Sequence, residues 1–183
     1  MLYRLNPKEI VVEHFKTFYD YRTKNLCKME IVGQLALASA LSVIHFLYFD
    51  VDSDTVSIVV SAASIVAGLL LNLMVLIYSL LSSYIAKSEA QASNVNNPNR
   101  TSYNVENFKG VSKETLSNIA FSVLVCILLV ISALMVLTTN VWIKSLGHLF
   151  LIFFGVMLIV TMMIVLLRFY RLIINDVTMT GAS

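Results

Sequence analysis

Four stretches of this chain contain no Asp, Glu, Lys or Arg: Ile31 to Phe49, Thr55 to Ala86, Thr115 to Ile143 and Ser145 to Leu167. A helix rises about 1.5 Å per residue, so ~20 uncharged residues cross the ~30 Å hydrocarbon core of a bilayer. Each stretch is that long or nearly so. Only 13% of the residues are charged and 58% are hydrophobic, whereas soluble domains carry about 25% charge. The chain therefore reads as a polytopic membrane protein. The stretches are far longer than the ~10 residues of a barrel strand and lack its alternation, so the expected fold is all-α with four transmembrane helices.

Little apolar material remains outside these spans. The expected organisation is an N-terminal helix in 1–30, a transmembrane domain in 31–172 interrupted by a loop at 87–114, and a tail at 173–183. Each flanking piece is shorter than the ~40 residues at which a domain stands alone. The first span follows a charged segment without the basic, apolar and small-residue order of a cleaved signal, so no cleavage is expected. Cys27 and Cys126 form neither a disulfide framework nor a metal motif and read as free thiols.

Twelve of the thirteen Lys and Arg residues lie before the first span, between spans two and three, or after span four. Positive loops stay in the cytoplasm, which places both termini and 87–114 inside and leaves Asp50 to Asp54 and Thr138 to Lys144 outside. Arg168 and Arg171 then snorkel to the inner interface, and Trp142 and Lys144 mark the outer one.

Asn6, Pro7 and Glu9 have the order of a helix cap, a first helical residue and an approximate capping box. Val11, Phe15, Phe18 and Arg22 follow at helical spacing, beside Lys8, Lys16, Lys24 and Lys28. This amphipathic helix suits either the inner membrane surface or a surface on 87–114. The loop itself is rich in Asn and Ser around Pro98, a turn-forming composition, with a helix start expected near Ser112.

The second span carries the most informative pattern. Ser57, Ser61, Ser64, Gly68, Asn72, Val75, Ser79 and Ser82 recur every three or four residues, so they share one helical face. Two uses are open. Small residues let helices approach closely, which makes the stripe a packing seam. Alternatively, copies of the helix surround an aqueous path in which the hydroxyls and the Asn72 amide face ions or water. Gln34, Ala38, Ser42 and His45 form a second such face, and Asn118, Ser122 and Cys126 a third. Gly147 and Gly155, two turns apart, read as points of close packing.

Asp50, Asp52 and Asp54 form an outer acidic cluster that, repeated around an axis, would concentrate cations; taken singly it is a solvated turn. The glycine and terminal glutamate of a calcium loop are missing, and no metal site is expected. No nucleophile elbow, phosphate loop, zinc-protease motif or paired intramembrane carboxylate is present, so neither an enzyme nor a cofactor is expected.

Ser64-Ile65-Val66-Ala67-Gly68-Leu69-Leu70, Leu116-Ser117-Asn118-Ile119-Ala120-Phe121-Ser122 and Leu167-Arg168-Phe169-Tyr170-Arg171 resemble small four-helix membrane proteins encoded beside bacterial anti-phage genes, as in Hailong-type and Kiwa-type defence. The resemblance implies a bacterial inner-membrane protein that is either an oligomeric ion channel or a membrane sensor, acting with a soluble partner. Lys16, Arg22, Lys24, Lys28, Arg100, Lys109 and Lys113 are the candidate contacts for that partner or for an anionic nucleotide or oligonucleotide, although acidic neighbours dilute their charge. The leading expectation is a homo-oligomeric channel lined by Ser57, Ser61, Ser64, Gly68, Asn72 and Ser79 and gated from the cytoplasm. A non-conducting sensor or scaffold is the second.

Overall fold

A computed structural model describes residues 7–16, 19–20, 25–26, 28–92 and 98–180. Helix α1 (Pro7–Lys16) comes first, followed by two-residue strands β1 (Tyr19–Asp20) and β2 (Asn25–Leu26), paired antiparallel. Helices α2 (Lys28–Tyr48), α3 (Ser53–Ala92), α4 (Pro98–Val136) and α5 (Val141–Thr180) make up the rest. Within them Ile31–Tyr48, Ser53–Ala86, Lys109–Val136 and Val141–Tyr170 are long and apolar enough to cross a membrane. Asn6, the expected cap of α1, and Phe18 lie outside the described residues.

The segment expected as a loop at 87–114 is largely helical. Helix α3 runs on to Ala92 and α4 begins at Pro98. Lys, Glu, Ala and Gln at 87–92 are good helix formers, and proline fits a first helical position, where its missing N–H is no loss. The last connection is also tighter than Thr138 to Lys144. Helix α5 starts at Val141 because Asn140 accepts a hydrogen bond from the Trp142 N–H at 3.1 Å through its side chain and one from the Lys144 N–H at 2.9 Å through its carbonyl.

The four long helices pack in the order α2, α5, α4, α3. Helices α2 and α3, joined by four residues, make hardly any contact with each other, so the arrangement is open along that edge. Half of the most apolar stretch of α4 is buried, 50%, against 11% for α3. The α4–α5 pair is thus the core, with α2 and α3 on its flanks and α1 on α4, at the end away from the 49–52 and 137–140 turns.

Two polar faces are consumed by this packing. On α2, Gln34, Ala38 and Ser42 are buried, and the Ser42 hydroxyl donates to the Leu149 carbonyl of α5 at 2.6 Å. On α4, Asn118, Ser122 and Cys126 are buried, with the Ser122 hydroxyl bonded back to the Asn118 carbonyl at 2.9 Å. Gly147 admits α4 closely, since a Cβ there would lie 2.7 Å from the Val136 nitrogen. Gly155 is looser, with its nearest neighbour, Leu129, at 4.0 Å.

Gly147→Ala should therefore destabilise the protein by about 1–3 kcal/mol, because a backbone atom cannot rotate aside as a side chain can. The same change at Gly68, where nothing lies within 4 Å, should be neutral or gain up to about 1 kcal/mol of helix propensity. Thermal unfolding in detergent compares the two. Gln34 is buried with both amide atoms unpartnered among the described residues, a cost of about 1–3 kcal/mol. Gln34→Met, similar in volume and without the amide, should raise the melting temperature.

Candidate functional site

Helix α3 meets α4 through Val56, Ala63, Leu70 and Ile77, seven residues apart and each at most 4% exposed. Val59, Val60, Val66, Ala67, Leu73 and Met74 flank this seam and are partly buried against the core. At 100° per residue the polar stripe lies about 100–180° round the helix from the seam. Ser57, Ser61, Ser64, Gly68, Asn72, Val75, Ser79 and Ser82 are accordingly all exposed. The stripe is not the seam within this chain. Ile58, Ile65, Leu69 and Leu76, also exposed, form an apolar surface next to it.

The polar members of the stripe differ in what they need. The Ser61 hydroxyl donates to the Ser57 carbonyl at 2.9 Å and the Ser64 hydroxyl to the Val60 carbonyl at 2.8 Å, so both donors are satisfied by their own helix. Among the described residues the amide of Asn72 makes no hydrogen bond. It has two donors and an acceptor to place, midway along an apolar helix.

At the turn end, Asp50, Asp52 and Asp54 are exposed, but Asp52 also has a local task. Its carboxylate accepts the Thr55 N–H at 2.9 Å and its carbonyl the Val56 N–H at 3.2 Å, which makes it the N-cap of α3. The side-chain bond from Thr55 holds the Asp52 carboxyl below its ordinary pKa.

The opposite end contains a junction that the pattern of aromatic and basic residues does not expose. Helix α1 docks on α4 through His14, which is 0% exposed. Its Nδ1–H donates to the Asn118 Oδ1 at 2.7 Å, and its ring stacks on Phe121 with centroids 3.8 Å apart and planes 3° from parallel. Ile10 and Val11, one turn earlier, pack against the same core. The usable signal was that spacing, Ile10 and Val11 followed by His14, together with a polar residue in the facing span. Beside the junction, Ile10, Glu13, Met74, Lys113, Leu116, Ser117 and Ala120 line a cleft of about 350 Å³. Lys113 lies 3.7 Å from Glu13, and Arg168 pairs with Glu114 at 3.2 Å.

Of the candidate cationic contacts, Lys109 and Lys113 are exposed on α4. Arg22 and Lys24 lie outside the described residues, as do the side chains of Lys16, Lys28 and Arg100. Among the described residues no three potential ligands converge on a metal position. Cys126 is a free, buried thiol, and Cys27 falls outside the described residues.

Burial lowers the pKa of His14 from 6.5 to about 4, with the Arg168 charge acting the same way and the Asn118 bond opposing. The docked helix therefore holds a neutral ring, and the undocked one takes up a proton first. Docking of α1 should be fully favoured above pH 6.5 and weaken progressively as the pH falls toward 4. Hydrogen exchange of α1 amides across that range should accelerate on acidification, and His14→Phe should remove the acid dependence. No protein-family model, curated protein or solved structure matches the chain.

Proposed function

We propose that this chain is the subunit of an oligomeric, ion-conducting membrane protein in which copies of α3 turn their polar stripes toward a shared path. The observation that carries this reading is the exposure of the whole stripe, Asn72 included, on a helix whose packing seam is elsewhere. An amide left in hydrocarbon without a partner costs roughly 2–7 kcal/mol. Assembly around water or around other copies removes that cost. Ser57, Ser61, Ser64, Gly68 and Ser79 would line the path with Asn72, and Asp50 and Asp54 would add negative charge at its mouth.

The loop charges support an orientation with both termini, α1 and the α3–α4 connection in the cytoplasm, and the resemblance implies that the membrane is a bacterial inner membrane. The α1–α4 junction is then the element that a soluble partner, or an anionic nucleotide or oligonucleotide, biases on the inner side. Lys109 and Lys113, exposed on α4, would make such contact, with Lys16, Arg22, Lys24, Lys28 and Arg100 as further cationic contacts. The biological setting that fits the resemblance is anti-phage defence, with this chain as the membrane effector.

A second reading has an observation of its own. The hydroxyls of Ser61 and Ser64 are already bonded to their helix, so that part of the stripe suits a dry contact between copies in a non-conducting sensor or scaffold.

Ion flux through liposomes containing wild-type protein or Asn72→Leu separates the two. Each amide is worth about one hydrogen bond, ~0.5–1.5 kcal/mol, and each copy contributes one. A conducting path should therefore lose at least about tenfold in flux with the oligomer intact by cross-linking. A scaffold gives no flux in either form, and its oligomer weakens.

A further inference from the structure

At the turn end, α2 and α5 are joined by two imidazoles. His45 Nδ1 and His148 Nε2 are 3.1 Å apart, with ring centroids 5.3 Å apart and the planes nearly perpendicular at 84°. Neutral imidazole is the form that binds transition metals, and its nitrogens bond zinc at about 2.0–2.1 Å. Two nitrogens on one tetrahedral ion are then about 3.3 Å apart, and the two ring centroids about 5.2 Å. The observed pair is within a few tenths of an ångström of both values, so an ion can replace the bridging proton by small ring rotations without movement of either helix.

We infer that His45 and His148 form a two-imidazole site for a divalent transition metal such as Zn2+ or Cu2+, which clamps α2 to α5 at the turn end. Two protein ligands leave the rest of the coordination shell to water. Of the two rings, His148 is buried and therefore prepositioned; His45 is half-buried and gives access from water. The clamp acts where it has effect, because α2 packs on α5 and hardly at all on α3. The remaining histidine, His14, is bonded to Asn118 at the opposite end.

The chain has one tryptophan, Trp142, six residues before His148 and therefore about 9 Å along α5 from the site. Copper quenches nearby indole fluorescence, so Cu2+ titration of the full chain in lipid nanodiscs reads the site directly. Saturable quenching that Zn2+ reverses is expected. Loss of a supporting residue around a metal ligand weakens binding about 10–100-fold, so His45→Ala and His148→Ala, which remove a ligand outright, should each weaken it at least about tenfold. Asp54→Asn, which changes the acidic turn and neither imidazole, should leave it unchanged.

Absence of quenching, or equal quenching in wild type and both histidine variants, overturns the site and assigns any binding to the acidic turn. His45→Asn keeps a polar group at a half-buried position and provides the test if His148→Ala does not fold, as judged by circular dichroism.

Discussion

A backbone in hydrocarbon must satisfy its own hydrogen bonds, and the rest of this structure depends on that requirement. It forces the uncharged stretches into helices and leaves side chains as the negotiable polar groups. The chain resolves most of them internally. The polar face of α2 lies on α5, and that of α4 is buried with Asn118 bonded to His14. Hydroxyls at Ser122, Ser132 and Thr161 return to carbonyls of their own helices. The stripe on α3 is the polar face that this packing leaves over, and within it Asn72 carries the largest polar group, an amide that is not bonded back to its helix as Ser61 and Ser64 are.

The spans are legible in the sequence because a soluble fold of this size cannot go without charge over such lengths. Their ends are less so, since hydropathy does not register a helix that continues into water. Thus α3 and α4 extend beyond the apolar stretches into the segment whose composition favours turns. The α4–α5 turn differs from expectation for a related reason: Lys144 ends an uncharged run, but Asn140, a capping residue, begins the helix. The stripe is visible from its period alone, while its direction is not. Period locates residues on a common face, and only the neighbouring seam of Val56, Ala63, Leu70 and Ile77 shows that this face points away from α4.

His14 is hard to place from the sequence because its spacing from Ile10 and Val11 sets it on an apolar face without showing what that face meets. Its meaning comes from Asn118, 104 residues away, and from the ring of Phe121. The acidic turn illustrates the reverse. Three carboxylates form an obvious sequence cluster, yet Asp52 is occupied in capping α3, so the charge offered to solvent is not three equivalent groups.

Openness between α2 and α3 bears on how the chain would fit the proposed assembly. A closed four-helix bundle buries its polar faces toward its own axis and leaves lipid-facing surfaces outside. Here α4 and α5 form the core, while α3 offers a polar stripe and an adjacent apolar surface of Ile58, Ile65, Leu69 and Leu76. The two surfaces have different natural neighbours. The apolar one is at no disadvantage in lipid, whereas the stripe is, by the unpaired amide of Asn72. In the proposed oligomer that difference alone orients each subunit, because rotating α3 to hide Ile65 would expose Asn72. The proposed gate is separated from this wall by α4, which touches α1 on one side and α3 on another. In that proposal a change in how His14 sits on Asn118 would have a single helix to cross before the stripe, and Met74 of α3 and Leu116 of α4 line the same cleft as Ile10 of α1.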